Sequence, residues 1–186
     1  TSLDCARQQM ALHGDEMVEA AVELSQTARD RLNTIPGIRC AGKELIGRAG
    51  IHDLDATRLT ISAADIGITG FDLKKMLFDE YDVDVELADY RNVLAIVTYA
   101  NEKEDLDMLC DAMQDISDRF AEEGQPLPPG EHLPAQPDYV LSPRAAYFNE
   151  RERVPWFETR GRIVAEMIAP YPPEIPVIYQ GERLSQ

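Results

Sequence analysis

The chain has 186 residues, 44% of them hydrophobic, which is enough for one domain or two small ones with a buried core. Its 34 acidic residues against 18 basic ones give a formal charge of −16, which disfavours nucleic acids and anionic membranes and favours cationic small molecules. No apolar run approaches the roughly 20 residues that cross a bilayer, and the start lacks an export signal, so a cytoplasmic location is expected.

The three cysteines, Cys5, Cys40 and Cys110, are far apart and form no CxxC pair. This spacing predicts buried free thiols rather than disulfides or a metal site. No Gly-rich phosphate loop, HExxH or GxSxG motif is present, and the three histidines are too scattered for a local metal cluster. The residue patterns alone therefore predict no particular reaction.

The first segment predicts a helix from Leu3 to about Leu32, because apolar residues recur there at helical spacing. His13-Gly14 predicts a weak point at which a second helix begins. The absence of an N-terminal cap or of an initiating Met favours an origin within a longer chain.

Residues 38–120 change to short strands that alternate with helices. Alternation predicts a strand over 58–62, and β-branched residues predict strands over 83–87 and 93–98 joined by a hairpin turn. Thr69 predicts the cap of a helix over 70–81, and Asn101 with Glu104 predicts a capping box for a helix with an apolar stripe from Leu106 to Phe120. We expect an α+β unit with helices on one face of a small sheet.

The last third of the chain is rich in proline. Residues 125–137 contain five prolines and predict a semi-rigid linker, after which Ser142-Pro143 predicts the start of a short helix. Four prolines between Pro170 and Pro176 exclude a helix and predict a rigid extended path. By itself this path fits a structural surface crossover.

The stretch GRIVAEMIAPYPPEIPVIYQGE, residues 161–182, resembles the C-terminal signature of the bacterial ornithine/lysine/arginine decarboxylases. That signature contains Gly-Arg-Ile, then Pro-Tyr-Pro-Pro-Gly-Ile-Pro, then Gly-Glu. The stretches TSLDCARQQMALHGDEM, DATRLTI, GITGFDLKKMLFDEYDVDVELADYRNVLAIVT and LSPRAAYF resemble further parts of the family in the same order. The resemblance covers essentially the whole chain.

The resemblance implies a division into four parts. Residues 1–34 would be terminal helices of a large pyridoxal-phosphate (PLP) domain, and 35–124 a small aminotransferase-like α/β sandwich domain. Residues 125–137 would be the linker, and 138–186 a proline-rich C-terminal α+β module. Family members are dimers or larger assemblies, so the same is implied for the intact enzyme.

Two departures from the family pattern matter. Glu174 stands where the family usually has Gly, which changes the turn after Pro173 if that turn needs a positive φ. The family's Schiff-base lysine lies in a Ser-X-His-Lys motif, and none of the four lysines here has that context. The resemblance therefore implies the C-terminal portion of a fold-type-I decarboxylase that binds no PLP and is inactive by itself.

Four residues are candidates for substrate binding. Glu86 matches an acidic residue that the family places at the active-site entrance, and Asp89 is a weaker alternative. A solvated carboxylate at a strand end explains Glu86 equally well. Arg162 and Glu166 would line the mouth of the site in the C-terminal module, or else form an ion pair on a short helix.

The leading hypothesis is a PLP-dependent decarboxylase of a basic amino acid, which releases an amine and carbon dioxide. Arginine is favoured over lysine or ornithine. The rival hypothesis is a free-standing interaction or dimerisation module without chemistry, and an aminotransferase is disfavoured by the proline-rich last part.

Overall fold

The computed structural model describes residues 1–48, 50–122, 124–128, 137–170 and 176–184. The chain forms two compact units, Thr1–Gly130 and Glu131–Gln186. In the described residues the helices are α1 (Ser2–Leu32), α2 (Gly70–Tyr81), α3 (Lys103–Phe120) and α4 (Pro143–Phe148). The strands are β1 (Arg39–Cys40), β2 (Arg58–Ser62), β3 (Leu87–Ala88), β4 (Val93–Ile96), β5 (Asp138–Tyr139) and β6 (Glu182–Arg183). This mixture of helices and small antiparallel sheets confirms the α+β class.

The first unit is built on a four-stranded antiparallel sheet with the order β1-β2-β4-β3. Leu59 pairs with Ala95 and Ile61 with Val93, which places their side chains on one face of the sheet. Leu59, Ile61 and Val93 are fully buried in the core. The strand predicted over 58–62 is confirmed, and the one predicted over 93–98 ends earlier, at Ile96.

Helix α1 is continuous from Ser2 to Leu32, so the predicted break at His13-Gly14 is wrong. A glycine inside a helix costs only about 1 kcal/mol, and strong helix formers flank this one. The last third of α1 packs against α3 and the sheet through Ala28 and Leu32. Most of its first twenty residues are exposed.

The predicted start of α2 is confirmed, because the Thr69 hydroxyl oxygen accepts a hydrogen bond from the amide of Asp72. The capping box of α3 lies one residue later than predicted, with Glu102 and Asp105 as its members. Asn101 is unavailable as the cap because its side-chain oxygen accepts hydrogen bonds from the Thr98 amide and hydroxyl. The predicted apolar stripe of α3 is confirmed and faces the core.

The thiols are buried at Cys40 and Cys110, as predicted, but Cys5 is exposed on α1. The prediction was wrong at Cys5 because that part of the helix has no packing partner in the described residues. Burial raises the pKa of the Cys40 thiol to about 11.

In the second unit, β5 pairs with β6 and Ser142 caps α4 as predicted. Gly181 precedes β6 with a φ of +89°, and a Cβ there would lie 2.0 Å from the Leu141 carbonyl oxygen, so this position requires glycine. The predicted linker falls mostly on residues 129–136, and the question about Glu174 falls on 171–175. Both stretches lie outside the described residues.

Candidate functional site

Glu86 lies at a bend directly before β3, not at the end of a strand over 83–87. Val85 is buried and Ala88 also packs on the core, so the two-residue alternation of a strand is broken between them. The backbone amide of Glu86 donates to the Leu94 carbonyl at 2.9 Å. Its carboxylate is exposed and makes no hydrogen bond or ion pair with the described residues. Glu86 therefore has a fixed backbone and a carboxylate that is accessible to a cation.

Asp89 lies in the β3–β4 turn, three residues after Glu86. Its Oδ1 accepts hydrogen bonds from the amides of Arg91 at 2.7 Å and Asn92 at 2.8 Å, and the Asn92 side chain donates to both carboxylate oxygens. The start of α2 packs closely on this turn, because a Cβ on Gly70 would lie 2.2 Å from the Asn92 carbonyl oxygen. The Asp89 carboxylate is thus occupied in holding the turn.

Arg162 and Glu166 lie in the second unit on a non-helical segment, so the alternative of a helical ion pair between them is wrong. Gly161, with a φ of +75°, and the flanking bridges of Ile163 and Ile168 keep this segment extended or turned. Arg162 instead pairs with Glu152 at 2.9 Å and donates to the Glu158 carbonyl. Glu166 is exposed, without an ion pair to any residue that the structure describes.

The four lysines occupy ordinary positions. Lys75 pairs with Asp79 and Lys103 with Asp107, both one helical turn away on exposed faces. Lys43 is exposed in a short 3-10 helix. Lys74 on α2 is partly buried, and its ammonium donates to the carbonyls of Val85 and Glu86.

Lys74 and Glu182 are charged residues that the sequence patterns did not single out. Lys74 directly follows the buried Leu73, and that position beside the core stripe of α2 was the available signal. Glu182 is 6% exposed on β6, opposite Tyr139. The neighbouring Glu182 carboxylate raises the pKa of the Tyr139 hydroxyl. The signal for Glu182 was the Gly-Glu pair of the C-terminal stretch.

A pocket of about 200 Å³ lies in the first unit between the Asp82–Val85 segment, the end of β4 and the start of α3. Val85, Leu106 and Leu109 contribute apolar surface to this pocket, and Asp105 also lines it. The Asp105 carboxylate already accepts a hydrogen bond from the Glu102 amide, which lowers the pKa of Asp105. None of the four predicted site residues lines this pocket.

No group of residues in the described ranges is arranged to hold a metal ion. Among those same residues, no helix is long and apolar enough to cross a bilayer.

Residues 129–186 match the family model described as Orn/Lys/Arg decarboxylase, C-terminal domain. Residues 129–186 are thus similar to the C-terminal domain of the Orn/Lys/Arg decarboxylases. This match includes the Gly161–Glu182 stretch and confirms the family resemblance seen in the sequence. The part of the domain that the structure describes contains Arg162, Glu166 and the buried Glu182.

The similarity to decarboxylases extends beyond this domain to the whole chain. An arginine decarboxylase from Halalkalibacterium halodurans is 36% identical over 187 residues, and one from Bacillus subtilis is 37% identical over 186 residues. Each alignment covers 100% of this chain and 38% of the relative. The chain thus spans little more than a third of the length of these relatives.

The fold is also similar to that of a solved decarboxylase. The crystal structure of a lysine decarboxylase from Francisella novicida matches with a TM-score of 0.68 and 19% identity, over 93% of this chain and 34% of that protein. At this level of identity the match shows the shared fold.

Proposed function

We propose that this chain is the C-terminal portion of a PLP-dependent decarboxylase of a basic amino acid, with arginine as its substrate. The observation that supports this most is the alignment of the whole chain with arginine decarboxylases at 36–37% identity. Lysine and ornithine are the alternative substrates. The reaction of the intact enzyme would release carbon dioxide and the corresponding amine.

PLP supplies the electron sink for loss of a carboxylate and binds its enzymes covalently through a lysine. The lysines of this chain do not fit that role, because three are exposed and the fourth donates to two backbone carbonyls. We therefore assign the lysine and the cofactor site to another part of the intact protein.

The proposed task of this chain is recognition of the cationic end of the substrate. Glu86 presents a free carboxylate from a fixed backbone, which suits a charge-assisted pair with a guanidinium group. Glu166 is the second candidate, in the C-terminal domain. Asp89 and Arg162 already have partners, so we assign them supporting roles, Asp89 in the turn after Glu86 and Arg162 in the segment before Glu166.

We also propose how the parts of the chain belong to the intact enzyme. The sheet with α2 and α3 would be the small aminotransferase-like domain. The exposed first part of α1 would belong to the large PLP domain, and Leu3 and Leu12, 85% and 68% exposed, offer apolar surface for that contact. The intact enzyme would be a cytoplasmic dimer or larger assembly.

Steady-state kinetics of the intact decarboxylase test the assignment of Glu86. Glu86→Gln should raise KM for arginine about ten- to a hundredfold with kcat little changed, because a charge-assisted hydrogen bond contributes about 1.5–3 kcal/mol. Glu166→Gln should act in the same direction. Glu104→Gln, another exposed carboxylate, is the control and should leave KM unchanged. An unchanged KM for Glu86→Gln removes Glu86 from the site.

A further inference from the structure

The Lys74 side chain is hydrogen-bonded to the backbone at Glu86. Its ammonium donates to the Val85 carbonyl at 2.6 Å and to the Glu86 carbonyl at 3.3 Å. The side chain is 30% exposed, and Asp84 lies 3.8 Å away as its nearest carboxylate. No hydrogen bond joins Lys74 to the carboxylate of Glu86 within the described residues, so Lys74 acts on the backbone of Glu86 and not on its charge.

The path of the chain explains this contact. Seven residues of α2 from Lys74 to Tyr81 rise about 10 Å. Asp82 then takes a left-handed conformation with a φ of +58°, which ends the helix and reverses the chain. About four extended residues cover a similar distance of roughly 13 Å, which returns the backbone at Glu86 to the level of Lys74.

The contact also provides hydrogen bonds to backbone carbonyls next to the edge of the sheet. β3 is the edge strand of the β1-β2-β4-β3 sheet, and the residues just before it pair on one side only, through the Glu86 amide and Leu94. Carbonyls on the open side of an edge have no strand to bond to. Lys74 supplies donors from α2 to the carbonyls of Val85 and Glu86, directly before this edge strand.

We propose that Lys74 is a positioning residue that sets where the Glu86 carboxylate stands in the substrate site. This inference rests on the proposed function of Glu86. Between the Lys74 contact on one side and the Asp89 turn on the other, the bend at Glu86 is held at both ends, although its side chain is free. The specificity for a distal cation therefore depends on a residue of α2 that does not contact the substrate.

Kinetics of the intact decarboxylase test the inference. Lys74→Met should raise KM for arginine about five- to tenfold with kcat nearly constant, and Lys74→Arg should restore most of the loss. Lys75→Met is the matched control, because Lys75 is the next residue on α2 and pairs with the exposed Asp79; it should leave KM unchanged. In the Glu86→Gln background, Lys74→Met should change KM less than twofold, because the carboxylate it positions is gone.

The outcomes separate the two claims. If Glu86→Gln itself leaves KM unchanged, the proposed role of Glu86 fails. If Glu86→Gln raises KM but Lys74→Met does not, the role of Glu86 is supported and the positioning role of Lys74 is overturned. The positioning role is also overturned if the double variant raises KM by the product of the two single effects.

Hydrogen exchange in the intact protein gives a readout that does not depend on activity. Lys74→Met should speed exchange of the Glu86 amide at least tenfold and leave the amides of β2 unchanged. Exchange at Glu86 equal to that of the unsubstituted protein would overturn the inference.

Discussion

At the scale of single residues, burial separates side chains that look alike in the sequence. Glu86, Glu166 and Glu182 are all acidic residues of the family-like stretches, yet only Glu182 is buried. The sequence could identify Glu86 as a candidate substrate-binding residue, because it follows the alternating Val83 and Val85. It could not show that Asp89, three residues on, uses its carboxylate on its own turn, because that depends on the turn geometry.

The cysteines give a prediction at this scale. Cys40 has its pKa raised to about 11, so at pH 8 about one Cys40 in a thousand is a thiolate, whereas Cys5 is exposed. Iodoacetamide at pH 8 should alkylate Cys5 at least about a hundredfold faster than Cys40. Peptide mass spectrometry over a time course measures both rates, and equal rates would contradict the burial of Cys40.

At the scale of helices and strands, the sequence predicted the features that depend on residues close together in the chain. The Thr69 and Ser142 caps and the apolar stripe of α3 follow from residue type and spacing, and the structure confirms them. The prediction of a strand over 83–87 was wrong, because the alternation of apolar and polar residues does not reveal where the chain bends between α2 and β3. The continuity of α1 through Gly14 was missed because propensity is a weak guide to a long helix.

The attachment of α1 depends on a buried arginine. Arg29 is 4% exposed and donates to the carbonyls of Ala41, Ala56 and Arg58 at 2.8–3.1 Å. Arg29→Ala should lower the free energy of unfolding by about 3 kcal/mol, because it removes several charge-assisted hydrogen bonds from the interior.

Arg31, two residues further along α1, is the matched control. It pairs with Asp107 and Asp111 at the surface, and Arg31→Ala should cost less than about 1 kcal/mol. Urea unfolding of the chain measures both values. Equal losses for the two variants would show that Arg29 is not an anchor of α1.

At the scale of the whole molecule, we propose that this chain contributes substrate recognition, while three of its lysines are exposed and Lys74 donates to two backbone carbonyls. Incubation of the 186-residue chain with PLP, followed by borohydride reduction, should give only weak labelling spread over the exposed lysines. The reason is that no lysine has the surroundings that favour one specific adduct. Labelling of a single lysine in a one-to-one ratio, read by peptide mass spectrometry, would show that the cofactor site lies in this chain.

We propose that the intact protein decarboxylates arginine. The most direct test is the release of carbon dioxide from carboxyl-labelled arginine, lysine and ornithine by the purified intact protein with PLP. We expect release from arginine at a kcat/KM at least about tenfold above that for the other two, in line with the charge-paired recognition of a guanidinium group. No release from any of the three amino acids would contradict the account and favour an interaction module without chemistry.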